Sequence, residues 1–121
     1  MTKENIKILI VDDSVINQKL GKALLEKLNY NVDIASNGIE ALEKISKIEY
    51  AIIFMDIHMP ELGGLETTKK LRENNKTMPI IAMSGDEPEE KFNDWKNAGI
   101  NDFVSKPYSI DKISDVINKW I

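Results

Sequence analysis

The stretch YAIIFMDIHMP, residues 50–60, decides the fold. It opens with an unbroken apolar run over residues 50–55, which is typical of a strand covered on both faces, as strands of a parallel sheet are. A carboxylate, Asp56, ends the run, and the turn signal of Pro60 follows. Asp56 by itself is open to two interpretations: a turn residue, or a group placed for chemistry at the end of a buried strand.

Four more apolar runs, separated by segments with helical spacing, extend this pattern along the chain. The strong runs are residues 6–11 and 79–83, and the weaker ones are residues 32–35 and 100–104. Between them, apolar side chains recur as on one face of a helix. The predicted buried stripes are Ile16, Leu20, Ala23, Leu24 and Leu28; then Ala41, Leu42, Ile45 and Ile48; then Leu65, Thr68 and Leu71; and finally Ile110, Ile113, Val116, Ile117 and Trp120.

Helix start and stop signals agree with this division into strand–helix units. Asn37 ahead of Glu40 resembles a capping box, Pro88 predicts a first turn, and Gly99 predicts a helix stop. Units joined by right-handed crossovers predict an α/β fold, with helices on both faces of a five-stranded parallel sheet. The doubly wound, flavodoxin-like (βα)5 arrangement with strand order 2-1-3-4-5 suits this length. We expect one domain over residues 1–121, since no linker or repeat interrupts it.

Composition limits the function. A net charge of -4 with 30% charged residues predicts no direct binding to nucleic acid, which requires a basic surface. Cysteine is absent, so disulfides, cysteine-ligated zinc and thiol nucleophiles are excluded. The acid within MTKEN, residues 1–5, and the short apolar run after it fit neither a signal peptide nor a membrane span. We therefore expect a cytoplasmic domain without membrane contact.

Groups suited to phosphate chemistry follow four of the predicted strands. Asp12 and Asp13 end the first run, Asp56 the third, Ser84 the fourth and Lys106 the fifth. In this fold the carboxyl ends of the strands form one edge, with the ligand crevice between strands 1 and 3. Three carboxylates there repel one another unless a cation intervenes, and oxygen ligands favour Mg²⁺, or Mn²⁺, over zinc. Lys106 and Ser84 suit phosphoryl oxygens, so Asp56 is the candidate to accept a phosphoryl group as an acyl phosphate.

Each of these residues also has an ordinary structural interpretation. Asp12 and Asp13 suit the cap of the first helix, Ser84 suits a turn, and a single Lys106 usually faces solvent. The lone His58 has no partner at metal-ligand spacing, which favours a loop residue over a side-chain ligand. No glycine-rich phosphate loop is present, so no nucleotide cofactor is expected. The recurrence of polar groups at successive strand ends argues for the chemical interpretation.

Together the motifs resemble the receiver domain of two-component response regulators, from one end of the chain to the other. They are VDDS at residues 11–14, MDIHMP at residues 55–60, Gly63-Gly64, Ser84-Gly85 and FVSKP at residues 103–107. The run DSVINQ at residues 13–18 resembles the version found in hybrid sensor kinases.

The resemblance implies a role for each residue of the site. Asp56 would accept the phosphoryl group from a phosphohistidine on a histidine kinase or a histidine phosphotransfer protein. Asp13 and Asp56 would bind Mg²⁺ through their carboxylates and His58 through its backbone carbonyl, while Asp12 would act mainly through bound water. Lys106 would pair with the phosphoryl group and with Asp56.

The resemblance also implies a switch and two protein partners. Ser84 would hydrogen-bond the phosphoryl group and draw its loop inward, with Phe103 rotating into the space behind it. A downstream output protein or domain would then read the face of the fourth helix, fifth strand and fifth helix, residues 87–120. The side chains of His58 and Asp86 stand where the family tunes the lifetime of the acyl phosphate. The phosphodonor would approach the first helix, with Val15, Ile16, Gln18 and Leu20 as candidate contacts.

Two other classes of function remain open on the sequence. Haloacid-dehalogenase-like phosphatases use a similar set of groups, but their nucleophile belongs to an Asp-x-Asp motif, whereas Asp12 and Asp13 are adjacent. A flavodoxin-like interaction module without phosphotransfer would leave Ser84 and Lys106 unexplained.

Overall fold

The computed structural model describes residues 6–59, 62–85, 92–106 and 109–121. The strands are β1 (Lys7–Val11), β2 (Asn31–Ala35), β3 (Ile52–Asp56), β4 (Ile80–Ser84) and β5 (Asp102–Ser105). They form one sheet in the order β2-β1-β3-β4-β5, and all neighbouring strands are parallel. The predicted doubly wound, flavodoxin-like fold and its strand order are confirmed.

One helix follows each strand. The helices are α1 (Val15–Lys27), α2 (Gly38–Lys47), α3 (Gly64–Glu73), α4 (Phe92–Ala98) and α5 (Ile110–Trp120). The turn predicted at Pro60, the first turn predicted at Pro88, and the motif residues Asp86 and Pro107 lie outside the described part of the chain.

Both faces of the sheet are covered, which explains why the strands have unbroken apolar sequences. On β3, Ile53 and Met55 join a core with α2, α3 and α4, whereas Ile52 and Phe54 join a second core with α1 and α5. Every residue of β3 and of β4 is buried. In these two strands, the polar side chains stand at the carboxyl ends, at Asp56 and Ser84.

The helix boundaries follow local rules of capping. Ser14, Asn37 and Ser109 stand at the N-caps of α1, α2 and α5, where each side chain accepts a backbone N–H from the first turn. Gly99 follows α4 with a φ of 112°, a left-handed conformation that favours glycine. The start predicted at Asn37 and the stop predicted at Gly99 are thus confirmed.

The buried stripe predicted for the first helix is partly wrong. In α1, Ile16 is 79% exposed and Leu20 is 39% exposed, and Ala23 is also exposed. The residues of this helix that are buried or pack against the core are Gly21, Leu24 and Leu25, and its C-cap Leu28 packs there too. The helix has apolar residues on two faces, and periodicity alone does not show which face meets the sheet.

At the edge of the sheet where the strands begin, Arg72 of α3 ties three segments together. Its guanidinium donates to the carbonyl of Gly99 at 2.8 and 3.1 Å, to the carbonyl of Lys76 at 2.8 Å and to Oδ1 of Asn101 at 2.8 Å. The same Oδ1 accepts the backbone N–H of Ile80 at 2.9 Å. These bonds hold α3, the start of β4 and the loop before β5 in register.

Candidate functional site

The predicted site residues meet at the edge where the strands end, because the sheet register aligns them. Val11 of β1 pairs with Met55 of β3, and each precedes an acid, so Asp12 and Asp56 lie side by side. These two strands flank the point where the strand order reverses, which is where such sheets bind ligands. Ser84 ends the adjacent strand, β4.

Three carboxylates form a cluster at this edge. One oxygen each from Asp12, Asp13 and Asp56 lie within 4.8 Å of one another. Asp12 is 0% exposed and Asp56 is 3% exposed, whereas Asp13 is exposed. Asp12 accepts the backbone N–H of Ser14 at 2.9 Å, and Ser14 in turn caps α1. The alternative that either acid of the pair caps the helix is therefore wrong.

Lys106 reaches into this cluster from the end of β5. Its Nζ lies 3.3 Å from Oδ1 of Asp56 and 3.6 Å from Oδ2 of Asp12. Its backbone N–H donates to the carbonyl of Ser84 at 2.8 Å, which keeps the end of β5 beside the end of β4. The alternative that Lys106 simply faces solvent is wrong, since its side chain is only 24% exposed and pairs with two acids.

Among the described residues, the charges of the cluster do not balance, since three carboxylates face one ammonium group. Burial raises the pKa of Asp56 to about 6, the positive charge of Lys106 offsets part of this rise, and the negative charge of Asp12 adds to it. A further positive charge at this position would favour the ionised form of Asp56.

The remaining predicted residues surround Asp56. Ser84 is 2% exposed and belongs to the strand rather than to a turn. His58 is an exposed loop residue, as its sequence context predicts, and its backbone N–H donates to Oδ1 of Asp56 at 3.2 Å. Phe103 of β5 is partly buried and packs edge-on against Phe92 of α4, with ring centroids 5.0 Å apart at 73°. The predicted switch residue thus contacts the helix of the predicted output face.

The donor set fits a hard divalent cation. The cluster offers oxygen ligands, and Mg²⁺ usually binds through one or two carboxylates while keeping several waters. Within the part of the chain that the structure describes, Asp12, Asp13 and Asp56 are the one group of three or more acidic, histidine or cysteine residues spaced to hold a metal.

Two residues shape the site through contacts that the sequence did not predict. Gln18 of α1 donates from Nε2 to the backbone carbonyl of Asp12 at 2.6 Å, a contact between a helix and a loop that no local pattern reveals. Gly64 begins α3 so close to β3 that an added Cβ would collide with the carbonyl of Asp56. A glycine at the first position of a helix was the only hint of this close approach.

The chain resembles known proteins over nearly all of its length. The family model of the response regulator receiver domain matches residues 8–118. Hybrid signal transduction histidine kinase E of Dictyostelium discoideum is 39% identical, over 99% of this chain but 7% of the kinase. Two-component response regulator 24 of Arabidopsis thaliana is 33% identical, over 98% of this chain and 86% of that protein. The chain therefore spans a small part of the hybrid kinases it matches and most of this regulator.

Solved structures show the same fold. One is a chain from the co-crystal structure of the Saccharomyces cerevisiae histidine phosphotransfer protein Ypd1 and the receiver domain of Ssk1. It superposes with a TM-score of 0.90 at 28% identity and covers 99% of this chain and 91% of its own. Response regulator TrrA of Thermotoga maritima, in complex with Mg(2+)-BeF, has a TM-score of 0.85 at 29% identity, with coverage of 96% and 99%.

The fold and the site together define a doubly wound domain with an acidic cluster at its strand ends. The chain belongs to the response regulator receiver domain family, and it is thus a receiver domain of two-component signal transduction. Among the described residues, no helix has the length and apolar character needed to cross a bilayer.

Proposed function

We propose that this receiver domain accepts a phosphoryl group on Asp56 from a phosphohistidine donor, in a reaction that depends on Mg²⁺. The observation that carries the proposal is the position of Lys106, whose Nζ lies within 3.6 Å of both Asp56 and Asp12 beside an acidic cluster. A buried carboxylate, a fixed cation and a place for a metal are the groups that phosphoryl transfer requires.

The transfer makes one bond and breaks one. A carboxylate oxygen of Asp56 bonds to phosphorus as the bond between phosphorus and the donor imidazole nitrogen breaks, and the electron pair of that bond leaves with the imidazole. Lys106 stabilises negative charge on the phosphoryl oxygens, and the hydroxyl of Ser84 donates a hydrogen bond to one of them. Later attack by water on phosphorus releases phosphate and restores the carboxylate.

A divalent ion would be held by the carboxylates of Asp13 and Asp56 and by the backbone carbonyl of His58, with Asp12 acting mainly through bound water. When bound, Mg²⁺ supplies positive charge that lets a phosphoryl group approach the acids, and Mn²⁺ belongs to the same class of hard cation. Complex formation of TrrA with Mg(2+)-BeF supports this part of the proposal. Asp12 already accepts a hydrogen bond from Ser14 and pairs with Lys106, which suits binding of the ion through water.

The phosphoryl group would act as a switch on the adjacent strand. A hydrogen bond from Ser84 draws its loop towards Asp56, and Phe103 then turns inward, which changes its edge-on contact with Phe92. The output face is accordingly made by α4, β5 and α5, and a downstream protein or domain would read it.

A second surface suits the phosphodonor. Val15 and Ile16 of α1 are 59% and 79% exposed, Leu20 of the same helix is 39% exposed, and Ile39 of α2 is 57% exposed. Val15 and Ile39 lie in the first turns of their helices, which follow the ends of β1 and β2. An apolar surface next to the site favours a protein donor over a small molecule. The complex of Ypd1 with the receiver domain of Ssk1 supports a histidine phosphotransfer protein, or a histidine kinase, as that donor.

The switch is tested by NMR with MgCl2 and beryllium fluoride, which mimics a bound phosphoryl group. We expect the backbone amides of Ser84, Phe103 and Lys106 to shift together in the wild type and to remain unchanged in Asp56→Asn. The control Asp115→Asn, an exposed acid of α5, should respond like the wild type. A wild-type protein that gives no response with both reagents present would contradict the proposal.

The two rival functions predict other results. Turnover of phosphate monoesters would favour the phosphatase interpretation, and a protein indifferent to Mg²⁺ would favour an interaction module without phosphotransfer. Membership of the receiver family argues against both.

A further inference from the structure

Gln18 bridges two loops next to the acidic cluster. Its Nε2 donates to the backbone carbonyl of Asp12 at 2.6 Å and to Oγ of Ser36 at 3.2 Å. Asp12 follows β1 and Ser36 follows β2, so one side-chain amide joins the loops at the ends of two neighbouring strands. The side chain itself projects from α1, whose first turn is fixed by the cap at Ser14.

The carbonyl that Gln18 binds belongs to the peptide between Asp12 and Asp13. A peptide group is planar, so the direction of this carbonyl fixes the direction in which the chain leaves for Asp13. The other side of Asp12 is held as well, because its backbone N–H donates to the carbonyl of Ala35 at 3.1 Å. Both peptide groups of Asp12 are therefore anchored.

The orientation of this peptide matters because adjacent side chains normally diverge. Successive residues of an extended chain point to opposite sides. Nevertheless, oxygens of Asp12 and Asp13 lie within 4.8 Å of each other and of Asp56. If the peptide between the two acids turned, the exposed carboxylate of Asp13 would move away from the buried pair.

From these contacts we infer that Gln18 is a positioning residue for the divalent ion, which it affects by orienting the peptide between two of the carboxylates. The inference rests on the proposed function and deepens it. Groups that orient metal ligands typically contribute about tenfold or more to metal affinity. Gln18→Met keeps the length of the side chain and removes the donor, so we expect Mg²⁺ to bind about tenfold more weakly.

The test is a Mg²⁺ titration of the full chain followed by NMR, with a second measurement on the reaction. In Gln18→Met, the Mg²⁺ concentration that gives half the maximal rate of labelling by acetyl phosphate should rise about tenfold, while the rate at saturating Mg²⁺ stays near that of the wild type. Ser36→Ala loosens the far end of the bridge, and a loss of roughly two- to threefold in affinity is expected. Asn118→Met, a neutral exposed position of α5, is the matched control and should not change affinity.

The possible outcomes test the role of Gln18 and the proposed function separately. A wild-type protein that binds no Mg²⁺ would contradict the proposed function itself. If the wild type binds Mg²⁺ and Gln18→Met binds it with an affinity within twofold of the wild type, the role of Gln18 would be overturned while the proposed function stands. Urea unfolding in EDTA reports on folding separately, and a lower unfolding midpoint with unchanged Mg²⁺ affinity would show that Gln18 only stabilises the fold.

Discussion

At the scale of single residues, Asp56 is subject to opposing demands. As the proposed phosphoacceptor it must be ionised to attack phosphorus, yet burial favours its neutral form, and the charge of Asp12 adds to that preference. Lys106 offsets the effect in part, with Nζ 3.3 Å away. The acidic cluster is therefore electrostatically incomplete without a further cation.

This imbalance predicts a pH-dependent effect of Asp56→Asn on stability. Because the pKa of Asp56 is raised to about 6 in the folded protein, the folded state binds more protons than the unfolded state from roughly pH 4 to pH 6. Folding stability is thus lost as the pH rises through this window. At neutral pH without metal, Asp56→Asn should increase the free energy of unfolding by about 1–3 kcal/mol.

Urea unfolding in EDTA at pH 4.5 and pH 7.5 measures this effect. The gain from the substitution should be larger at pH 7.5, and addition of Mg²⁺ should stabilise the wild type more than the variant. A variant that is less stable than the wild type at both pH values would contradict the electrostatic account.

The positions of the main site residues were predictable, whereas their supports were not. Asp12, Asp56 and Ser84 each end an apolar run, and parallel strand ends meet at one edge, so the sequence alone places them together. The contact of Gln18 with a loop and the close approach of Gly64 to β3 depend on tertiary distances. Local sequence patterns do not predict such distances.

At the scale of the elements, the helices show where periodicity succeeds and where it fails. The stripe of α5 is continuous, and its buried residues Ile113 and Ile117 are the predicted ones. In α1 the periodicity includes Ile16, which lies on the side opposite Leu25 and faces away from the core. The additional apolar residues of this helix therefore form an exposed surface and do not pack in the core.

That surface predicts a variant with altered phosphotransfer and unchanged stability. Because Ile16 is 79% exposed, Ile16→Ser should change the free energy of unfolding by less than about 0.5 kcal/mol. Transfer from a phosphorylated histidine phosphotransfer protein, normalised to labelling by acetyl phosphate, should fall about tenfold if Ile16 anchors the donor.

Ile121→Ser provides the matched control, since this residue is 53% exposed at the far end of α5. Its normalised transfer rate should equal that of the wild type. Equal loss in both variants would indicate a general effect of surface polarity and not a docking surface on α1.

A substitution at Gly99, in the loop after α4, should lower the stability of the fold. Gly99 has a φ of 112°, and an added Cβ would lie 2.6 Å from Cγ of Arg72, which would disturb the hydrogen bonds of that guanidinium. Gly99→Ala should therefore cost about 2–4 kcal/mol of unfolding free energy, measured with urea. Gly85→Ala, where an added Cβ meets no atom of the described residues within 4 Å, should stay within about 0.5 kcal/mol of the wild type. Similar losses in both variants would contradict this account of Gly99.

At the scale of the whole molecule, the carboxylates of the sheet differ in how far nearby groups compensate their charge. Away from the strand ends, the carboxylate of Asp33 in β2 is compensated: Tyr50 donates to it at 2.7 Å, and Nζ of Lys7 lies 3.4 Å from the same carboxylate. Burial raises the pKa of Asp33, but the hydrogen bond from Tyr50 and the charge of Lys7 outweigh burial and lower it. Where the strands end, the three acids of the cluster outnumber the one cation that lies among them in the described part of the chain. Among the described residues, the fold thus concentrates uncompensated charge at the edge that holds the proposed phosphoacceptor.

The most direct test of the central claim is the mass of the intact protein after incubation with acetyl phosphate. With Mg²⁺, the wild type should gain the mass of one phosphoryl group, and neither the wild type in EDTA nor Asp56→Asn with Mg²⁺ should gain it. Labelling that persists in Asp56→Asn, or that does not require a divalent ion, would contradict the assignment of Asp56 as the phosphoacceptor.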